Sequence, residues 1–427
     1  MKKILRTLPL AVAVFVALCC LSQPHSEQRP LEPLKHAAGD VHYTKLVITG
    51  EMVDKGIYDP SLAYTPDGRI GWLAYSSVKG DGNLVQGKVS LGEYVSTHLA
   101  RTTDGGGTWT YAKALNVSAD GTLVMPDGKK LQGVWRFEVP SLVYDGSDPD
   151  AHRRWKLFAH RYFWERDRGS RQAYAWIVLR TAADPAGQWS EEIPLLGAGE
   201  NPPAPYHLAK VDVNALDRSL KNTVVYTEPG ALAHEGRLYL SLTALRPQVG
   251  SGGIGVGYSI ILLASDDHGR SWSFMGTLLT AKDANHFGYE HFDGTALAVD
   301  GERVFLLAVP GGKPLMHDGC VAFEFETLAK GRLKRDAAGF PVVSNYFAPQ
   351  PGILSGPGAG QATYDARNTN GGLIMAQFNL RAYPNMFQIF QTRLRILFKA
   401  EPSGAANRSQ PQGSYTNRTS AAAGSGG

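Results

Sequence analysis

Thr102-Thr103-Asp104-Gly105-Gly106-Gly107-Thr108-Trp109 returns later in the chain as Ser265-Asp266-Asp267-His268-Gly269-Arg270-Ser271-Trp272. Both stretches read Ser/Thr-x-Asp-x-Gly-x-Ser/Thr-Trp. The Asp and hydroxyl groups can bond to the backbone of a tight turn, the glycine permits a positive φ, and the tryptophan can pin the turn to a sheet. No general acid or nucleophile needs that spacing, so the motif is structural, and its recurrence means a repeated unit.

Five segments around these turns share a second pattern: a polar or acidic residue, Pro or Gly, a small residue, an apolar strand, a turn and another apolar strand. They begin at Tyr58-Asp59-Pro60-Ser61, Phe137-Glu138-Val139-Pro140-Ser141, Thr227-Glu228-Pro229-Gly230, Phe292-Asp293-Gly294-Thr295 and Gln361-Ala362-Thr363-Tyr364. Two further strand candidates follow most of these pairs, flanking Asp104, Asp267 and a degenerate copy at Thr181–Trp189. The expected fold is therefore an all-β propeller of five four-stranded blades, or six if Asn201–Asn222 hides strands. The last unit lacks an obvious outer strand beyond Met386–Phe398, so Tyr43–Val53 is expected to complete it and close the ring. Gly80–Val95, Arg166–Arg171, Asn201–Asn222 and the glycine-rich Gly250–Gly257 read as loops.

The 427 residues are 43% hydrophobic and carry a net charge of only +4, which predicts a globular chain without a nucleic-acid footprint. Met1-Lys2-Lys3 and Arg6 precede an apolar run from Leu8 to Leu21, the pattern of a signal peptide over residues 1–22. The run is shorter than the ~20 residues a membrane-spanning helix needs, so no transmembrane segment is expected after signal removal. The expected location is periplasmic or extracellular, with Cys19 or Cys20 as a candidate lipid anchor. Residues 23–40 read as a linker, 41–400 as the propeller and 401–427 as a disordered tail. Beyond the signal only Cys320 remains, which excludes an internal disulfide and a thiolate metal cluster.

In a propeller the first strand of each blade lines the central channel, so the repeats are expected to project Asp59, Glu138, Glu228 and Asp293 into one funnel. On the following strands Arg161, Arg246 and Arg381 form a second expected ring, able to hold an acidic or hydroxyl-rich group. Converging carboxylates push their pKa values apart, and glycosidic cleavage needs that: one acid to protonate the leaving oxygen and one carboxylate to direct water or attack. The competing reading is a carbohydrate- or protein-binding propeller in which the arginines lock the carboxylates into static ion pairs.

Asp59-Pro60 and Glu228-Pro229-Gly230 resemble the five-bladed arabinanase and xylosidase type of glycosidase. That resemblance implies Asp59 as base, Glu228 as acid and Glu138 in place of the Asp that tunes the acid. The Asp-turns look like the Asp-boxes of sialidases, as do the phrase Pro60–Gly68 and the three arginines. Tyr58-Asp59-Pro60 stands where a sialidase carries Arg-Ile-Pro, and Tyr289-Glu290 and Tyr364 are candidates for the sialidase Tyr-Glu pair. A sialidase-like relative acting on an anionic or arabinose-like sugar is implied. Trp135, Tyr289 and their aromatic neighbours could stack on a sugar ring. No cofactor is expected. A structural Ca²⁺ at the propeller axis is the alternative, near His286, His291 and His317.

Overall fold

Runs such as Trp72-Leu73-Ala74-Tyr75 and Leu238-Tyr239-Leu240 are apolar at consecutive positions and buried throughout, as strands covered on both faces must be. In the computed structural model, residues 43–80, 94–166, 169–199, 205–250, 253–312, 317–350, 358–370 and 372–396 are described. The expected signal peptide, Cys19, Cys20, the linker and the tail lie outside them. Among the described residues Ala281–His286 is the one α-helix, and its Thr280–Asp283 capping box satisfies the first turn. No described helix is long and apolar enough to cross a membrane.

The strands form successive antiparallel meanders. The first comprises Gly56–Tyr64, Gly71–Lys79, Tyr94–Thr102 and Trp109–Asn116; the second Lys130–Tyr144, Trp155–Glu165, Gly169–Ala182 and Ile193–Gly197. The third runs through Val225–His234, Arg237–Gly250, Gly253–Ser265 and Ser273–Thr280, and the fourth through His291–Asp300, Arg303–Gly311, Cys320–Thr327 and Val343–Phe347. The last joins Ala362–Tyr364, Leu373–Phe378 and Phe387–Gln391 to the N-terminal strand Thr44–Lys45, with Thr44 opposite Gln391. Completion by the N-terminal segment is as expected. It is, however, broken into two short strands, the second of which, Ile48–Thr49, pairs in parallel with Trp109 and Thr110. Residues 205–222 add a two-residue strand and two 3-10 turns but no further meander. Gly250 and Gly253 pair, so the glycine-rich stretch extends a hairpin rather than forming the expected loop.

Each inner strand packs against the next, and the last packs against the first, so the sheets surround a common axis: an all-β propeller. The small residue of the repeat is what ties neighbours together. Leu142 N–H donates to Ser61 Oγ (2.8 Å), Ala231 N–H to Ser141 Oγ (2.8 Å) and Leu62 N–H to Thr363 Oγ1 (3.0 Å). A larger residue there would lose the hydroxyl and crowd the next strand. Apolar clusters fill the wedges between adjacent sheets, one from Ala63, Trp72 and Leu99 against Leu142, Trp155 and Leu157.

The two Asp-turns share one hydrogen-bond pattern. Asp104 accepts from Thr108 N–H (2.9 Å), Thr108 Oγ1 (2.8 Å) and Thr102 Oγ1 (2.7 Å); Asp267 accepts from Ser271 N–H (2.8 Å), Ser271 Oγ (2.6 Å) and Ser265 Oγ (2.8 Å). Each turn also docks on the preceding meander: Asn370 N–H donates to Gly105 O (2.9 Å), and His268 Nδ1 meets Asp145 Oδ2 at 3.0 Å. The degenerate copy does likewise, its Ala186 and Gly187 carbonyls accepting from Lys113 Nζ at 2.7 and 2.6 Å.

These bonds have a pH signature. The Thr108 N–H and the two threonine hydroxyls hold Asp104 down to about 2, while at Asp267 partial burial, which raises it, is outweighed by Ser271, Ser265 and Arg270 N–H, again to about 2. A depressed folded pKa contributes stability that is full above the unfolded value, ~3.9, and is lost as pH falls towards 2. Asp267→Ala is expected to cost on the order of 1 kcal/mol at pH 7, as loss of a turn-capping side chain does. In urea titrations the gap to wild type should close between pH 4 and 2; a constant gap would assign the loss to packing.

Candidate active site

In the first four meanders the inner strand bulges from its ladder at Asp59-Pro60, Val139-Pro140, Glu228-Pro229 and Gly294-Thr295. The first residue of each bulge is left-handed, with φ of 52° at Asp59, 52° at Val139, 55° at Glu228 and 56° at Gly294. Glycine adopts this freely, whereas a non-glycine residue is strained by on the order of 1–3 kcal/mol, a cost that clusters at functional sites. The four acidic positions are thereby split, correcting the expectation that they are equivalent. Asp59 and Glu228 sit on the bulge, while Glu138 and Asp293 precede it by one residue.

Asp59 and Glu228 are held in matching cradles. Asp59 Oδ2 accepts from Ser76 Oγ (2.8 Å) on its own second strand and from the bulge N–H of Val139 (3.1 Å) on the next meander. Glu228 Oε2 accepts from Thr243 Oγ1 (2.8 Å) and from the bulge N–H of Gly294 (2.6 Å). The bulge is what turns that N–H out of the ladder and towards its neighbour's carboxylate.

Electrostatics separate the four acids. Burial, then the charge on Glu138 and more weakly that on Glu228, pushes Asp59 well above the carboxylate range, against the expectation that it stays readily ionised. Burial first and Asp293 second push Glu228 up to about 7. Asp293 is buried too, yet His317 Nε2 at 3.1 Å and His291 Nε2 at 3.4 Å from its Oδ2 overcome the desolvation and hold it below the ordinary range. The charge that raises Glu228 is thus Asp293, not Glu138 as the resemblance implied. Glu138 instead accepts from Tyr58 Oη and lies 3.6 Å from Arg136 Nη2.

The expected arginine ring is not assembled. Directly opposite Glu138 stands His160, and Arg161 stands opposite Phe137, so a one-residue offset turns Arg161 to the other face of the sheet. There its guanidinium donates to Glu192 and lies 5.0–5.3 Å from the rings of Trp135, Phe137 and Trp176. Trp135 belongs to that aromatic cluster, 5.5 Å from Trp176 and 5.6 Å from Tyr206. Arg246 Nε donates to Thr223 Oγ1 (3.2 Å), and Arg381 is exposed on a 3-10 turn. Tyr289 Oη donates to Asp318, and Tyr364 Oη to Asp300 at 2.9 Å.

Arg136, two residues before Glu138 and so on the same face, had been legible from strand alternation alone. His160 was missed with it. It is buried, its Nδ1 lies 2.9 Å from Thr227 Oγ1, its ring stacks on Tyr162 at 5.0 Å, and burial lowers it to about 4, leaving a neutral imidazole. Asp59 Oδ1, His160 Nε2 and Asp293 Oδ1 are buried without a hydrogen-bond partner. Buried polar atoms in a native fold are normally satisfied, so each of these three calls for a water or a polar ligand as partner.

Among the described residues two groups of side chains could hold a cation: His291, Asp293 and His317, and, away from the carboxylate funnel, Asp145, Asp148 and His268. In the second the ammonium of Lys156, 3.1 Å from Asp145 and 2.8 Å from Asp148, already supplies the positive charge. His286 joins neither; it stacks on Phe340 at 3.8 Å.

No family model matches this chain, and no curated protein matches it significantly. Solved structures do. An α-L-arabinofuranosidase from Lactobacillus brevis is 12% identical with a TM-score of 0.45, over 81% of this chain and 92% of that one. A GH43 endo-arabinanase from Bacillus licheniformis is 10% identical with a TM-score of 0.44, over 80% and 95%. A Hadza microbial sialidase is 12% identical with a TM-score of 0.42, over 78% of this chain and 55% of its own. These neighbours are glycoside hydrolases; what the present chain does is read from its own side chains.

Proposed function

We propose that the funnel hydrolyses a glycosidic bond, with Glu228 donating the proton to the leaving oxygen and Asp59 directing the attacking water. The observation that supports this is the pair of matched cradles, which present two buried carboxylates from inner strands two meanders apart. The binding-only alternative requires that the carboxylates either do not converge or are each locked to an arginine. Among the described residues only Glu138 has an arginine nearby, and Asp59 and Glu228 are held by hydroxyl and backbone N–H donors rather than by a cation, so these two keep the freedom to exchange protons.

Glu228, raised to about 7, holds its proton up to neutrality and loses it above, which lets it act as a general acid on the acidic side of neutral. Asp59 has to release its proton before it can orient water, and burial and the charge on Glu138 oppose that release, so the acidic limb lies above the ordinary carboxylate range. Arg161 and Arg246 are engaged elsewhere, Arg381 is exposed on a turn, and Arg136 already faces Glu138, which favours a neutral sugar. The same reading takes the meanders as five blades, the Asp104 and Asp267 turns as Asp-boxes, and the periplasm or exterior as the place of action, with or without a lipid anchor.

The purified protein, freed of metal, is expected to release chromophore from one or more neutral aryl glycosides. Absence of turnover across neutral and acidic glycosides and polysaccharides, with carbohydrate binding retained, would overturn the hydrolase reading. On an active substrate kcat/KM should fall as pH rises through about 7. Asp293→Asn removes the charge that helps hold the proton on Glu228, so the alkaline limb should move to lower pH. An unmoved limb assigns it to another group.

A further inference from the structure

We infer that His291, Asp293 and His317, three ligands from the described residues, form a binding site for a borderline divalent transition ion of the zinc class. The calcium ion expected at the axis does not suit these donors. Calcium takes six to eight oxygen ligands, whereas two of the three atoms here are imidazole nitrogens, which favour zinc and its neighbours.

Two edges of the ligand triangle match a face of a coordination tetrahedron. Metal–ligand arms of about 2.0–2.1 Å place neighbouring ligand atoms about 3.3–3.4 Å apart. His291 Nε2 and His317 Nε2 lie 3.4 and 3.1 Å from Asp293 Oδ2, and all three ligand atoms are within 4.8 Å of one another.

Hydrogen bonding alone explains the arrangement poorly. Both imidazoles crowd a single carboxylate oxygen, while the other, Asp293 Oδ1, is buried and has no partner. An ion bound through Oδ2 draws both nitrogens to that side. The ligands are also pre-set: Tyr258 stacks on His291 with ring centroids 4.2 Å apart, and Asp293 is pinned between His291 and the Gly294 bulge on the inner strand. Lys156, which fills the Asp145–Asp148–His268 cluster, has no counterpart among the described residues around Asp293.

The site does not depend on the hydrolase reading, but an ion here would cancel the Asp293 charge that raises Glu228. Glycoside assays on metal-free protein and metal-binding assays without substrate therefore fail separately.

Full-length protein stripped with chelator and titrated calorimetrically with zinc chloride is expected to bind one equivalent, at least a hundredfold more tightly than calcium. His291→Ala with His317→Ala should weaken zinc binding at least a hundredfold, and His268→Ala, at the other cluster, should leave it unchanged. Zinc uptake undiminished in the double variant, or calcium bound as tightly as zinc, overturns the assignment. Should the double variant not fold, cobalt(II) added to wild-type protein decides. Intense visible d–d bands of a four-coordinate site are expected, and a weak octahedral spectrum overturns the assignment.

Discussion

Glu228→Gln is expected to lower kcat on a glycoside with a poor leaving group by about 10²–10⁴-fold, the usual contribution of a positioned general acid. The amide keeps the shape of the carboxyl and can still accept from Thr243 Oγ1 and the Gly294 N–H, so the cradle and the fold should survive. It has no proton to give. With a leaving group that departs as a stable anion, the same variant should lose far less, and that contrast separates a proton donor from a residue that merely shapes the funnel. Equal losses on both substrates would move the acid role to Asp293 or Glu138. Asp59→Asn is the complementary case: loss of the water-directing group should be severe on both substrates, because neither avoids the attack of water.

The largest effect on stability is expected at Lys156, which is fully buried and far from any catalytic proposal. Its ammonium contacts Asp145 Oδ2 at 3.1 Å, Asp148 Oδ2 at 2.8 Å and the carbonyl of Arg153 at 2.7 Å. Burial would raise both aspartates, but Ser147 with Lys156 at Asp145, and Lys156 with the Asp150 N–H at Asp148, hold both below the ordinary range. Lys156→Met fills the volume and strands two buried charges, which typically costs about 3–5 kcal/mol. Arg153, 3.5 Å from Asp148, relieves part of the deficit. The loss should shrink as pH falls below about 4 and the aspartates take up protons. Denaturant unfolding at pH 7 and pH 3 measures both, and a loss under about 1 kcal/mol at pH 7 would show that Arg153 carries the site. The consequence extends to the third meander, because Asp145 is also the anchor for His268 of its Asp-turn.

Much of the fold could be read before the structure because each repeat announces itself locally. The Asp-turn needs its hydroxyl, carboxylate, glycine and tryptophan at fixed spacing, and the inner strand needs a small residue where Ser61 and Ser141 bond to the next strand. The site was legible as a set of acids but not as a geometry. Asp59, Glu138, Glu228 and Asp293 line up in sequence, yet a two-residue bulge assigns Asp59 and Glu228 to one kind of position and Glu138 and Asp293 to another. The arginines failed for a related reason. Arg246 and Arg381 share an offset from their repeats, but one lies past the end of the inner strand's pairing and the other on an exposed turn. Offsets count residues, whereas which face a side chain takes depends on the parity of the ladder. Ser76, His160 and Thr243, which stand opposite Tyr58, Glu138 and Thr227, become visible only once that register is known.

The strand Thr44–Lys45 pairs with Phe387–Gln391, so the first described segment and one of the last complete the same sheet. During synthesis that partner emerges only after nearly the whole described chain, and until then Thr44–Lys45 has no strand to pair with. Such a contact is maximally non-local, and closing so long a loop makes folding slow relative to the local hairpins that precede it. The waiting species is an open arc of formed sheets with an unpaired edge, the form most prone to join edges with another chain. Ring closure is thus a kinetic checkpoint: a chain that stops short of Phe387 can build its early meanders and still have no clasp with which to lock them.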